Sequence, residues 1–204
     1  MARQQYESLL NNPNVRTMLN LIAQTEGVKW GYNTLFGNQK IDNLSAHPNL
    51  KKQFTQTNGK INYTTAAGRY QFIKPTWDGL VGQLGLKDFS PRSQDIGAIA
   101  LLAENGALPY VLKGDYKTAV RKSGGTWASL PSSNYAQPKR GWDFISKQLG
   151  SQVEQQSQQE YKPEYVPQNL LQAKSTYKAE YVPKENLTQQ GYQPEYVPQQ
   201  LLGG

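Results

Sequence analysis

The sequence predicts an α+β fold, mostly helical with a small antiparallel sheet, followed by an extended C-terminal arm. Three observations carry this reading. Apolar residues recur at helical spacing in several early segments, an Asn-Gly pair separates two short alternating stretches, and all four tryptophans precede residue 150. The organisation read from these is a folded domain over residues 1–150 and an arm over 151–204.

The first helix is expected from Asn14 to Glu26, where Val15, Met18, Leu19 and Ile22 form one stripe and Gly27 offers a stop. Four residues beyond Ile22 that stripe reaches Glu26, so its carboxylate should emerge from the buried face at the helix end. Next, QFTQT, Asn58-Gly59 and KINYTT read as a hairpin, because Asn-Gly supplies the positive φ angles of a tight two-residue turn. AAGRYQFI, from Ala66, is expected as a further strand. Pro75 opens a helix bearing Trp77, Leu80, Val81 and Leu84, closed by Gly85. Ser90-Pro91 opens another, with Ile96, Ile99, Ala100 and Ala103 leading to Gly106. Shorter helices fit at 115–122 and 140–149, and Trp77 and Trp142 are read as core residues.

Charge divides with the domains: residues 1–150 hold eighteen Lys and Arg against nine Asp and Glu, the arm four against six. A basic domain suits an anionic partner such as nucleic acid, a membrane surface or an acidic wall polymer. The basic residues are scattered, with no basic helix or reading motif, which disfavours nucleic acid. There is no cysteine and a single histidine, His47, so a thiolate metal site is excluded and no metal or other cofactor is expected. The start lacks the apolar core of a signal peptide and no apolar run is long enough to span a bilayer, so export is expected to use another route.

A carboxylic acid pressed against apolar neighbours holds its proton to higher pH, because burial disfavours the charged form. Glu26 fits that description, with Trp30 and Tyr32 of GVKWGY expected as an apolar wall. The motifs TEGVKWGYNTLFG (25–37), AHPN (46–49), AAGRYQF (66–72), LGLKDFSPRSQD (84–95), ENGALP (104–109) and WASLPSSNYAQP (127–138) follow in order. Together, over Val15 to Pro138, they resemble the lambda-phage endolysins, peptidoglycan lytic transglycosylases with a lysozyme-like α+β fold.

That resemblance implies that Glu26 is the catalytic acid, cleaving between N-acetylmuramic acid and N-acetylglucosamine and leaving a 1,6-anhydro end. Hydrolytic lysozymes usually need a second carboxylate, for which Asp42 is the candidate. Related sequences tend to read Asp-x-Ser-Asp-His-Pro where this one has Asn43-Leu44-Ser45-Ala46-His47-Pro48, so two acids are missing near the expected cleft. Substrate contacts are expected from Tyr32 and from the AAGRYQF segment, with Gly68 allowing close backbone approach and Tyr70 and Gln71 offering a ring and an amide. Tyr70 could equally be core, and Arg69 could pair with a carboxylate such as Asp95 or reach the muropeptide. Tyr135 and Gln137 match the family's Gly-Tyr-Gly-Gln stretch, with Ala136 in place of its second glycine. A non-catalytic peptidoglycan-binding module is the competing reading.

The arm contains twelve Gln, five Pro and six Tyr, too little apolar surface for a core of its own. It repeats one phrase three times: YKPEYVPQNLL (161–171), YKAEYVPKENL (177–187) and YQPEYVPQQLL (192–202). The period is too short for a solenoid and Val-Pro disfavours continuous helix. An extended binding peptide fits, its contacts being Tyr161, Tyr165 and Val166, then Tyr177, Tyr181 and Val182, then Tyr192, Tyr196 and Val197. The expected partner is a phage structural protein of the tail or baseplate, which would carry the enzyme to the wall.

Overall fold

The computed structural model describes residues 2–156; the three repeats, with the arm contacts proposed for them, lie outside the described residues. In chain order the elements are α1 (Ala2–Glu7), α2 (Pro13–Glu26), a 3-10 turn (Gly31–Asn33), β1 (Thr34–Leu35), β2 (Gln39–Lys40), β3 (Lys52–Thr55), β4 (Ile61–Thr64), α3 (Lys74–Leu84), α4 (Pro91–Glu104), α5 (Leu108–Leu112), α6 (Tyr116–Ser123) and α7 (Trp142–Gln156). The α+β expectation holds. The last helix continues past Gly150, where the sequence reading placed the domain end.

α2 starts where its caps dictate: Asn12 accepts from the Val15 N–H at 3.1 Å, Pro13 occupies the first turn, and Gly27 closes the helix at φ +66°. Its buried set is wider than one stripe, adding Thr17, Leu21, Ala23 and Thr25. α4 is the central helix, buried on all sides from Ser93 to Leu102, and α1, α2, α3 and α5 pack on it. An element enclosed on every side has no polar face to alternate with, so a continuous apolar run replaces the stripe. α1 and α5, which the sequence did not announce, are too short to show a period.

Two details of the β region differ from expectation. Among the described residues there are two separate two-stranded ladders, β1–β2 and β3–β4. The β3–β4 hairpin pairs Lys52 with Thr64 and Thr55 with Ile61, but it turns through residues 56–60, and only Gly59 takes a positive φ. Asn58 contributes its side chain instead, accepting from the Lys60 N–H at 3.1 Å.

The expected AAGRYQFI strand is a closed turn. Ala67 and Phe72 exchange both backbone hydrogen bonds, at 3.0 and 2.8 Å, while Gly68 and Gln71 adopt φ of +80° and +50°. Gly68 is required there: a Cβ would lie 2.3 Å from the Gln94 side-chain oxygen and 2.8 Å from the Phe89 ring. The close approach foreseen for a sugar is thus made by the protein's own core.

That core joins the faces of α2, α3 and α4 to an aromatic cluster in which Trp77 meets Phe89 and Phe72 with ring centroids 4.6 and 5.1 Å apart. Trp77 is buried as expected. Trp142 is not: it is 37% exposed, on the first turn of α7, with the Arg121 guanidinium 5.7 Å from its ring. His47 is buried, donating from Nε2 to the Phe72 carbonyl at 2.8 Å and accepting at Nδ1 from the Asn49 N–H, so it ties a loop to the closed turn. Among the described residues no helix is long and apolar enough to cross a membrane.

Candidate active site

α2 ends on Glu26, and the left-handed Gly27 turns the chain sharply away, leaving the carboxyl at the mouth of a cleft. Val28, Thr34, Leu35, Phe36, Gly37, Asn38 and Gln71 line that cleft with it. The apolar wall predicted beside Glu26 therefore exists, but Val28, Leu35 and Phe36 supply it rather than Trp30 and Tyr32.

The polar partner of Glu26 comes from 103 residues away: the Ser129 hydroxyl donates to Oε1 at 2.6 Å and also lies 3.2 Å from the Thr25 hydroxyl. Trp127, buried, holds the start of that loop by donating its indole N–H to the Tyr70 carbonyl at 3.2 Å. The Arg140 N–H donates to the Ser129 carbonyl at 2.8 Å and fixes the other side. Burial raises the Glu26 carboxyl, and the hydroxyl and backbone N–H of Ser129 oppose it; the outcome is a group pushed up to about 7. Glu26 is only partly enclosed, so a substrate can still reach it.

Gln71 shares the cleft with Glu26, its amide donating to the Gly68 carbonyl at 2.9 Å. Tyr135 and Gln137 are half-buried on the loop that carries Ser129. The Tyr135 hydroxyl donates to the Gly125 carbonyl at 2.7 Å, and the Ala136 carbonyl accepts from Thr57 at 3.0 Å, joining this loop to the β3–β4 hairpin. Ala136 does not take a positive φ, so an alanine is accommodated there without strain.

The other expected contacts belong to a different place. Tyr70 is 1% exposed, and its hydroxyl donates to Asp95. The Tyr32 hydroxyl donates to the same carboxylate at 2.9 Å, and Arg16, not Arg69, is its ion-pair partner at 2.5 Å. Arg69 instead donates to Asn20 at 2.8 Å with its guanidinium 5.2 Å from the Tyr32 ring. On a regular strand Tyr70 and Phe72, two residues apart, would share one face with Gln71 on the other; in the closed turn both rings enter the core and meet edge to face.

Asp42 does not join Glu26. Its side chain is 86% exposed and paired with Lys40 at 3.1 Å, in a depression formed with Ile41, Asn43, Ser45, Ala46, His47 and Pro48. None of those residues lines the Glu26 cleft. Ser129, Val28, Phe36 and Asn38 were not singled out from the sequence. Ser129 sits in the WASLP stretch, but nothing in its spacing links it to Glu26.

A helical body, two small β ladders and one acid raised by its surroundings place this chain in the lysozyme-like class. Bacteriophage lambda lysozyme complexed with a chitohexasaccharide superposes with a TM-score of 0.62 at 33% identity, covering 70% of this chain and 95% of that one. A second structure of the lysozyme from bacteriophage lambda gives 0.59 at 31% identity, covering 70% and 94%.

The chain belongs to the endolysin family, whose model matches residues 16–152, beyond the last sequence motif and through most of α7. It is 37% identical to the endolysin of Escherichia phage lambda over 136 residues, 63% of this chain and 83% of that one. To the endolysin of Escherichia phage P2 it is 34% identical over 140 residues, 61% and 83% of the respective chains.

Proposed function

We propose that this protein degrades peptidoglycan by lytic transglycosylation at the β-1,4 bond between N-acetylmuramic acid and N-acetylglucosamine. The observation that carries the reading is a single carboxyl in the cleft, Glu26, pushed up to about 7, with Asp42 in a separate depression. Protonated Glu26 gives its proton to the glycosidic oxygen as the C1–O bond breaks. The muramic acetamido oxygen meets the developing positive charge at C1. Glu26, now a carboxylate, removes the proton of the muramic 6-hydroxyl, whose oxygen closes on C1 to give the 1,6-anhydro sugar and restores the acid. No water is consumed and one carboxyl serves both steps. Gln71 is positioned to orient the sugar through its amide, and Tyr135 and Gln137 supply the facing loop.

The test is peptidoglycan clearing by the parent and by Glu26→Gln, with mass spectrometry of the released muropeptides. Loss of clearing and anhydro ends are expected. A reducing muramic end would make the protein a hydrolase, and equal clearing by both proteins would leave a wall-binding module.

The repeats of the arm extend the proposal to where the enzyme works. The same residue order three times in succession is more than a spacer needs, and we read it as a triple docking peptide for a phage tail or baseplate protein. Detection of the protein in purified virions, lost on truncation after Gln156 where α7 ends, is the expected result. Its absence from virions would make it a freely released endolysin.

A further inference from the structure

Trp30 is the large side chain next to the Glu26 cleft for which the catalytic account has no use. It is 43% exposed, an unusual position for the most apolar area a single residue can offer. It is also held still. Its backbone N–H donates to the Thr34 hydroxyl at 2.9 Å, its indole N–H to the Asn38 carbonyl at 3.0 Å, and its carbonyl accepts from Asn33 at 3.1 Å. The preceding residue adds a further tie, the Lys29 N–H donating to the Asn38 side chain at 2.9 Å. Thr34 and Asn38 both line the Glu26 cleft, so the ring is fastened to the cleft wall itself. A ring fixed before its ligand arrives loses little freedom on binding.

Two ammonium groups lie over the ring, Lys29 Nζ 5.3 Å and Lys40 Nζ 6.0 Å from its centroid, on exposed side chains that can swing aside for a sugar. Lys40 also pairs with Asp42, but both side chains are more than half exposed, so that pair is weak and open to exchange with another carboxylate. We infer that Trp30 is a saccharide-stacking platform at the rim of the cleft, and that Lys29 and Lys40 take carboxylates of the peptide stem on the same glycan strand. The ring faces the C–H side of a pyranose and the lysines the acidic groups beside it. The site thereby favours stem-bearing peptidoglycan over a neutral chain of the same sugars. This rests on the peptidoglycan reading above.

Binding measured in the inactive Glu26→Gln protein separates the two claims, since it needs no turnover. The probes are a neutral chitooligosaccharide and a purified muropeptide oligomer with its stems. Adding Trp30→Ala is expected to weaken both by about tenfold, with Trp30→Tyr recovering most of the loss. Adding Lys29→Gln and Lys40→Gln is expected to weaken the muropeptide by about fivefold and the neutral sugar distinctly less, an excess that shrinks in high salt. In the same Glu26→Gln protein, either ligand should shift the tryptophan emission to the blue, and adding Trp30→Phe should abolish most of that shift. Affinities within about twofold for Trp30→Ala on both probes, or an unchanged emission shift in Trp30→Phe, would overturn the platform. Equal losses on the two probes for the lysine variants would overturn the preference for stems. Retained clearing by Glu26→Gln, by contrast, would sink the catalytic reading and leave these binding results to stand by themselves.

Discussion

Two carboxylates sit inside this domain on neighbouring helices and meet opposite surroundings. Asp95, on α4, is 6% exposed and receives an Arg16 guanidinium and the hydroxyls of Tyr32 and Tyr70. Glu26, at the end of α2, lies against Val28, Leu35 and Phe36 and receives a hydrogen bond from the Ser129 hydroxyl. Around Asp95 every partner answers a negative charge. Burial pulls the Arg16 guanidinium down, but its contacts with Tyr32 and Asp95 win and hold it above its usual range. The Tyr70 hydroxyl is pushed well up, first by burial and then by the charge of Asp95. At Glu26 no cation pairs with the carboxyl among the described residues, and burial wins over the Ser129 hydrogen bonds. The same functional group is a structural clasp where it is paired and keeps its proton toward neutral pH where burial dominates.

Breaking the unpaired side should give the largest effect. Glu26→Gln is expected to lower the rate of peptidoglycan cleavage by about a thousandfold, read as release of muropeptides. The same variant should be more stable than the parent. A carboxyl raised from 4.5 to about 7 adds nothing unfavourable below about pH 4, where both folded and unfolded forms are protonated; stability is lost as pH rises through the folded value. The gain from Glu26→Gln should therefore be near zero at about pH 4, grow up to about pH 7, and level off at about 3 kcal/mol above it. Thermal or denaturant unfolding across that range reads it.

On the paired side, Asp95→Ala leaves Arg16 without its counterion and two hydroxyls without their acceptor. A loss of about 3 kcal/mol in denaturant unfolding is expected, with Glu26 still titrating near its parental value in the protein that remains folded. Ser129→Ala sharpens the comparison further. It removes an interaction that favours charged Glu26, so the carboxyl should rise further and the alkaline limb of the pH–rate profile should move upward, while the rate below that limb falls about tenfold. Asp42→Asn should change the rate by no more than about twofold, because an exposed surface pair contributes little. A large loss there would return Asp42 to the chemistry.

The unpaired acid was legible in the sequence, and its clasping counterpart was not. Glu26 follows from a local rule, one more step along the stripe of α2, and the helices α2, α3 and α4 follow from that stripe, Pro75, Ser90-Pro91 and the glycines that stop α2 and α3. Ser129 was out of reach because its link to Glu26 spans most of the domain. Tyr70 joins Tyr32 at Asp95 from a closed turn over residues 66–72, where the alternating aromatics imitate a strand. Trp142 has helical spacing to recommend it as core, but it lies on the outer side of the first turn of α7. Short elements such as α5 carry too few residues for any period to show.

The account stands on Glu26 holding its proton because burial outweighs its hydrogen bonds from Ser129. Titrating its side-chain carbon by NMR, assigned by its disappearance in Glu26→Gln, tests that directly. A midpoint near 7 is predicted, moving higher in Ser129→Ala; a midpoint at the ordinary 4.5 would contradict it.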